Sequence, residues 1–278
     1  MVRLILLLVL LVLLAGLGIG SWYALEEIVW KPERELRKEQ EIAKAPALED
    51  PSLAAFREIS EQLGKVPPQE SAKALREFLE KYPSAPDRQT AIDTLNRIGR
   101  RILFTPEPAA WKTTITVVKG DSLDKISRRM GVAPDYLLKI NNLLSHNLQI
   151  GQTLVIPKGD FALKLKREAG EAELLLNNEV ALVYPAKFVD MGGRASGAAT
   201  VREKVATVGG TRVVFGSPGY ASSEKSVILD LPGVLIQALP EVTNPGETPA
   251  MPRGILLSRP DLEEIFLVVK RGTPVMIE

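Results

Sequence analysis

From Leu4 the chain runs apolar and uncharged to Leu25 (LILLLVLLVLLAGLGIGSWYAL) before Glu26 and Glu27 interrupt it. That is about the 20 residues a helix needs to cross a bilayer core. Trp22 and Tyr23 sit at its far end, where amphipathic rings favour the headgroup level. The pattern predicts a transmembrane anchor over residues 1–25. A cleaved leader is the alternative, but its apolar region is roughly 7–15 residues and ends in a small-x-small site. The run here is longer, and Gly18-Ile19-Gly20 is a poor cleavage site. The flanking charges argue weakly about direction. Arg3 precedes the run and Lys31, Arg34, Arg37 and Lys38 follow it, so basic residues alone favour a cytoplasmic C-terminal side.

Residues 26–50 alternate in charge and read as a solvated helix or stalk. Over 51–103 the apolar positions fall into three amphipathic helices: Leu53, Phe56, Ile59 and Leu63; Ala72, Leu75, Leu79 and Tyr82; Ala91, Leu95, Ile98 and Ile102. Pro51, Pro68 and Pro86 mark their starts. A helix pair of this spacing approaches the tetratricopeptide period of about 34 residues; a plain helical spacer is the simpler reading. Residues 104–113, with Pro106 and Pro108, read as a linker. Strand composition at Thr114–Val118, short helices at Ser122–Met130 and Ala133–Asn141, and a second strand at Thr153–Ile156 make a small unit over 114–159. From 160 to 278, apolar runs (AELLLNNEVALVYPA, TRVVFGSPGY, SVILDLPGVLIQALP) alternate with glycine and proline and predict a mainly-β domain, with a hairpin turn at Asn177-Asn178. The whole reads as a multidomain α+β chain.

Composition changes this picture chiefly by exclusion. The formal net charge is +1, which gives no whole-chain reason to expect nucleic acid. There is no cysteine and one histidine, His146. Thiolate catalysis and Cys- or His-rich metal sites are therefore excluded, and no cofactor is expected. His146, in the Ser145-His146-Asn147 loop, reads as a surface residue without a partner.

Ile115 to Gly159 carries a specific set of motifs: Lys119-Gly120-Asp121-Ser122-Leu123, Ile126-Ser127, Leu137 to Asn141, and Gly151-Gln152-Thr153-Leu154-Val155-Ile156-Pro157. Over this length it resembles a LysM domain, lacking only the optional proline before Gly120. The resemblance implies a βααβ fold that binds N-acetylglucosamine-containing glycan, which in bacteria is peptidoglycan. It implies a groove walled by Gly120, Asp121, Ser122 and Leu123 on one side and Leu148, Gln149, Ile150 and Gly151 on the other. The residue types suit that role: Gly120 permits a sharp turn and close backbone approach, and Asp121 or Ser122 can cap the following helix. Caps and core are the structural alternative for the same residues, most of all for Leu123.

The last residues, ILLSRPDLEEIFLVVKRGTPVMIE, resemble the close of an L,D-transpeptidase domain of the YkuD type, with Gly272-Thr273-Pro274-Val275-Met276-Ile277 intact. That family places a cysteine nucleophile where this chain has Gly254 or Ile255, an arginine at Leu256, a histidine at Gln237, and a T-P-x-G turn at Thr200-Val201-Arg202-Glu203. The resemblance implies a degenerate fold without catalytic residues. Ser258 would lack a histidine base, and Glu263 and Glu264, adjacent on a helix, face different directions. The expected function is binding: an inner-membrane protein, its bulk in the envelope, that holds peptidoglycan glycan strands. The alternative is a regulator that recruits a cell-wall synthase or hydrolase as partner.

Overall fold

The computed structural model describes residues 50–191, 196–240 and 250–278, together with parts of 8–37. The chain divides into two compact units, Met1–Ala54 and Ala55–Glu278. In the first, Glu26–Trp30 forms a π-helical turn, Glu27 pairs with Lys31 at 2.7 Å, and Trp22 meets Trp30 edge to face at 5.3 Å. Most of the expected anchor, and the end of the stalk, lie outside the described residues. No described helix is long and apolar enough to cross a membrane.

The helical segment forms as its periodicity predicts: α1 (Pro51–Gln62), whose first four residues still count with the first unit, then α2 (Pro68–Lys81) and α3 (Arg88–Phe104) in the second. Leu75, Phe78, Ala91, Ile92 and Leu95 make its core, and Phe56 packs on Phe78 at 5.4 Å. Proline at the first turn of α2 fits because no amide hydrogen is needed there. Helix α3 runs through Phe104, and Lys112 already opens strand β1 (Lys112–Thr116), so the bridging stretch is shorter than 104–113.

The small unit is βααβ: β1, α4 (Leu123–Met130), α5 (Pro134–Ile140) and β2 (Thr153–Pro157), with the strands antiparallel and Ile115 opposite Leu154. Val117, Leu123, Ile126, Leu137, Leu154 and Ile156 fill its core.

The C-terminal sheet comprises β3 (Phe161–Lys166), β4 (Glu171–Leu176), β5 (Glu179–Val189), β6 (Gly197–Val208), β7 (Thr211–Arg212), β8 (Glu224–Leu229), β9 (Leu235–Ala238), β10 (Gly254–Leu257) and β11 (Pro274–Ile277). Among the described residues the order is β11-β3-β4-β5-β10-β9-β8-β6-β7, and β11 also pairs with β6. That last pairing closes the sheet on itself and leaves only β7 hanging from β6. Closure removes the exposed edges that would otherwise invite strand addition. The β4–β5 hairpin turns at Asn177 and Asn178, both at positive φ (51° and 70°), as a two-residue primed turn requires. Helix α6 (Arg259–Val268) buries Leu262, Ile265 and Phe266 in the common core.

Two stretches of this region take forms that their composition leaves open. TRVVFGSPGY forms only the two-residue β7; Gly216 and Gly219 at φ 84° and 81° break the run into a loop. Conversely Thr200–Glu203 lies within the long strand β6, which charged positions concealed.

The helices are docked on this sheet through β5. The Asn96 side chain donates to Val183 O at 2.7 Å and accepts from Val183 N at 2.8 Å, taking the place of a neighbouring strand. Gly99 permits the contact: a Cβ there would lie 2.1 Å from Ala181 O. Arg88–Glu171 (2.7 Å) and Arg100–Glu264 (2.8 Å) flank the joint. The βααβ unit joins the same core through Tyr136, whose hydroxyl donates to Leu103 O at 3.1 Å and whose ring meets Phe104 and Phe161.

Candidate glycan-binding groove and the transpeptidase-like domain

The β1–β2 ladder extends one step beyond the strands. Val117 N donates to Gln152 O, and Gly151 N to Val117 O, both at 2.8 Å. This exchange sets the loop after β1 against the loop before β2. Each loop is then tied by its own side chains. Asp121 Oδ2 accepts from Val118 N at 3.1 Å, and Arg129 donates to Asp121 Oδ1 at 3.2 Å. The Val118 amide, and after it Arg129, hold the Asp121 carboxyl below the usual carboxylate range. Ser122 caps α4 by accepting from Lys125 N at 3.3 Å, and Lys125 Nζ reaches back to Gly120 O at 2.8 Å. On the other side Gln149 N donates to Gln152 Oε1 at 3.0 Å. Such ties reduce the ordering cost of binding.

The predicted residues divide by role. Gly120 and Gly151 have positive φ (90° and 85°), and open space lies where a Cβ would stand. Ile150 is 71% exposed, and Gln149 is exposed beside it. Leu148 packs against the module core. Asp121 and Ser122 are turn and cap. Leu123, at 2% exposure, belongs to the core, so its side chain forms no groove wall. Sequence reasoning overlooked Val118, 56% exposed and next to the Val117–Gly151 exchange. With Ile150 it offers an apolar surface flanking two open glycines, which suits the methyl of an acetamido sugar. An exposed valine at the end of a strand was the signal available.

His146 is not alone: its ring lies 4.7 Å from that of Phe215, which stands 5.5 Å from Tyr220. Tyr220 in turn donates to Asp135 Oδ2 at 2.7 Å. The loop after β7 thus fastens the βααβ unit to the sheet domain.

In the C-terminal domain, parallel pairing makes Gln237 and Leu256 register partners, so the positions matched to the family's histidine and arginine do meet. One carries an amide and the other an aliphatic side chain. Gln237 Nε2 donates to Arg253 O at 2.9 Å. Ile255, Leu256 and Leu257 are each 0% exposed. Gly254 lies at φ 116°, and a Cβ there would stand 2.3 Å from Leu235 O. Ser258 caps α6, accepting from Asp261 N at 3.3 Å and donating to Asp261 Oδ2 at 2.6 Å. Glu263 pairs with Lys225 at 2.6 Å, and Glu264 is held by Arg100 and Tyr184. Among the described residues no His/Cys/Asp/Glu group could hold a metal ion.

The βααβ unit with its two tied loops is a LysM domain: residues 115–157 match that family. No curated protein matches the chain. Solved structures similar to it include that of Bdellovibrio bacteriovorus Bd1075, at 15% identity over 42% of this chain and 47% of that one, TM-score 0.32. The L,D-transpeptidase from Mycobacterium smegmatis is 16% identical over 47% of this chain and 64% of that one, TM-score 0.30. L,D-transpeptidase 1 of Mycobacterium tuberculosis is 18% identical over 45% of this chain and 65% of that one, TM-score 0.30. The chain thus spans about half to two thirds of the length of these structures.

Proposed function

We propose that this is a membrane-anchored envelope protein that binds the N-acetylglucosamine-containing glycan of peptidoglycan through its LysM domain, with the C-terminal domain a catalytically inert scaffold. The observation that carries the reading is the LysM domain itself, with Gly120 and Gly151 open and Val118 and Ile150 exposed beside them. Inertness is supported by the absence of cysteine from the sequence and by aliphatic residues at the matched positions. A thioester route needs a thiolate and its base. The full chain in detergent should bind the N-acetylglucosamine tetramer in calorimetry. Ile150→Glu should weaken that binding about tenfold or more, since burying one aliphatic side chain is worth about 1.5–3 kcal/mol. Equal affinity in the variant would place the glycan elsewhere.

The anchor reading rests on the uncharged run from Leu4 to Leu25. A wall ligand requires the C-terminal bulk outside the inner membrane, against the mild preference of the basic flanks. Because the chain has no cysteine, Ser145→Cys, in an exposed loop, introduces a unique thiol. A membrane-impermeant maleimide should label it in spheroplasts. Protection until lysis would reverse the topology and remove the wall-binding role.

A further inference from the structure

Between the LysM domain and the sheet lies a cleft of about 660 Å³ whose charged walls are Arg128 from α4, Arg202 and Lys204 from β6, and Lys270 and Arg271 from the turn before β11. A chain of net charge +1 has concentrated these cations in one concavity. Among the described residues Glu203 is the only carboxylate lining it, and Arg212 already holds that group at 2.6 and 3.4 Å. Among the described residues none of the five cations forms an ion pair. The Asp230 carboxylate near Arg202 accepts from Thr200 N and Oγ1 at 2.7 and 3.0 Å.

The fold itself imposes this crowding. Val201 N donates to Thr273 O at 2.9 Å and Gly272 N to Val201 O at 2.8 Å, which sets Arg202 beside Arg271. The β6–β8 register breaks between Val201 and Glu203, so Arg202 is the extra residue of a bulge. Bulges re-aim a side chain out of the regular pleat. Lys204 lies half-buried, its ammonium 4.3 Å from the centre of the Phe266 ring. Burial holds that ammonium below the usual lysine range, against the nearby Asp135, with Lys225 adding to the effect. Like charges held side by side are destabilising, and an arriving anion offsets that repulsion. Arginines present paired donors matched to carboxylate geometry.

We propose that this cleft binds the carboxylates of a short acidic peptide, the stem carried by the same glycan strand that occupies the LysM groove. The identification of the peptide rests on the peptidoglycan reading. The groove loops flank the N-terminus of α4, and Arg128 and Gly131 stand at its other end. That helix is about 12 Å long at 1.5 Å per residue, so one polymer segment can reach both. Two linked contacts would raise retention on the wall beyond what either supplies alone.

The test uses the full chain in detergent and three probes, the N-acetylglucosamine tetramer, a disaccharide-tetrapeptide muropeptide and the same muropeptide with its carboxyls amidated, with pyrophosphate and phosphatidylglycerol vesicles as two controls. Arg202→Glu with Arg271→Glu should weaken the intact muropeptide at least about tenfold. It should leave the amidated muropeptide and the tetramer unchanged, with an unchanged melting temperature. Should that variant fold poorly, Arg202→Gln with Arg271→Gln serves. In the wild type, added salt should weaken the intact muropeptide and spare the tetramer. Equal muropeptide affinity in wild type and variant overturns the proposal. So does a loss confined to pyrophosphate or to phosphatidylglycerol vesicles, which would make the ligand a phosphate or a membrane. A chain that holds the muropeptide through Arg202 and Arg271 but ignores the tetramer would refute the groove and leave the cleft standing.

Discussion

Gly99→Ala is expected to destabilise the protein by about 1–3 kcal/mol or more, although helix propensity alone favours alanine over glycine by about 1 kcal/mol. The opposite sign comes from packing. Gly99 faces β5, and the added Cβ would stand 2.1 Å from Ala181 O and 2.9 Å from a Leu182 methyl. The first of these is backbone within a paired strand, so α3 itself must move. Moving it would also stretch the exchange between Asn96 and Val183, and unsatisfied buried backbone groups cost about 1–3 kcal/mol each. Chemical denaturation of the two proteins decides the matter. A variant as stable as the wild type, or more so, would mean that α3 is not seated on β5 as described.

The second large effect concerns the C-terminal domain that we propose to be inert. Gly254→Cys with Gln237→His returns the two residue types that an L,D-transpeptidase carries at the matched positions, yet no activity is expected. Position 254 sits at φ 116° with Leu235 O 2.3 Å from where a Cβ would lie. Left-handed strain in a non-glycine residue costs about 1–3 kcal/mol and overpacking costs a similar amount. A loss of about 2–6 kcal/mol should therefore accompany the pair of changes. The alternative position is no better, because Ile255 is fully buried and a thiol there would face the core. Leu256 would still stand where the arginine is needed, and a misplacement of about 1 Å can cost about 100-fold in rate. Muropeptides with tetrapeptide stems, incubated with the variant and examined by mass spectrometry, should be unchanged. New cross-links or released D-alanine above a heat-treated control would show that the site is closer to competence than its packing indicates.

What could be read from the chain followed the strength of the local signal. The LysM elements and the Asn177-Asn178 hairpin were legible because each combines turn residues at required backbone angles with flanking apolar runs. Strand β6 was not, because Arg202, Glu203 and Lys204 interrupt its apolar pattern where it lines the cleft. The run TRVVFGSPGY looked like a strand, but its Phe215 is used against His146 and the LysM core. Asn96 and Gly99 carried no usable signal. A polar residue and a glycine within an amphipathic helix read as tolerated exceptions until β5 is placed against them. In the groove, sequence located both loops, while only tertiary structure separates exposed Val118 and Ile150 from buried Leu123.

The central claim, that the wall is held through the LysM groove, is tested most directly by sedimentation with purified sacculi. The full chain should pellet with them. Val118→Glu with Ile150→Glu should remain largely in the supernatant, with an unchanged circular dichroism spectrum, since both side chains are exposed at 56% and 71%. Point changes are the right instrument because Tyr136 and Ile140 of the module belong to the core shared with the sheet, and deleting the segment would disturb both. A double variant that pellets as fully as the wild type would contradict the account.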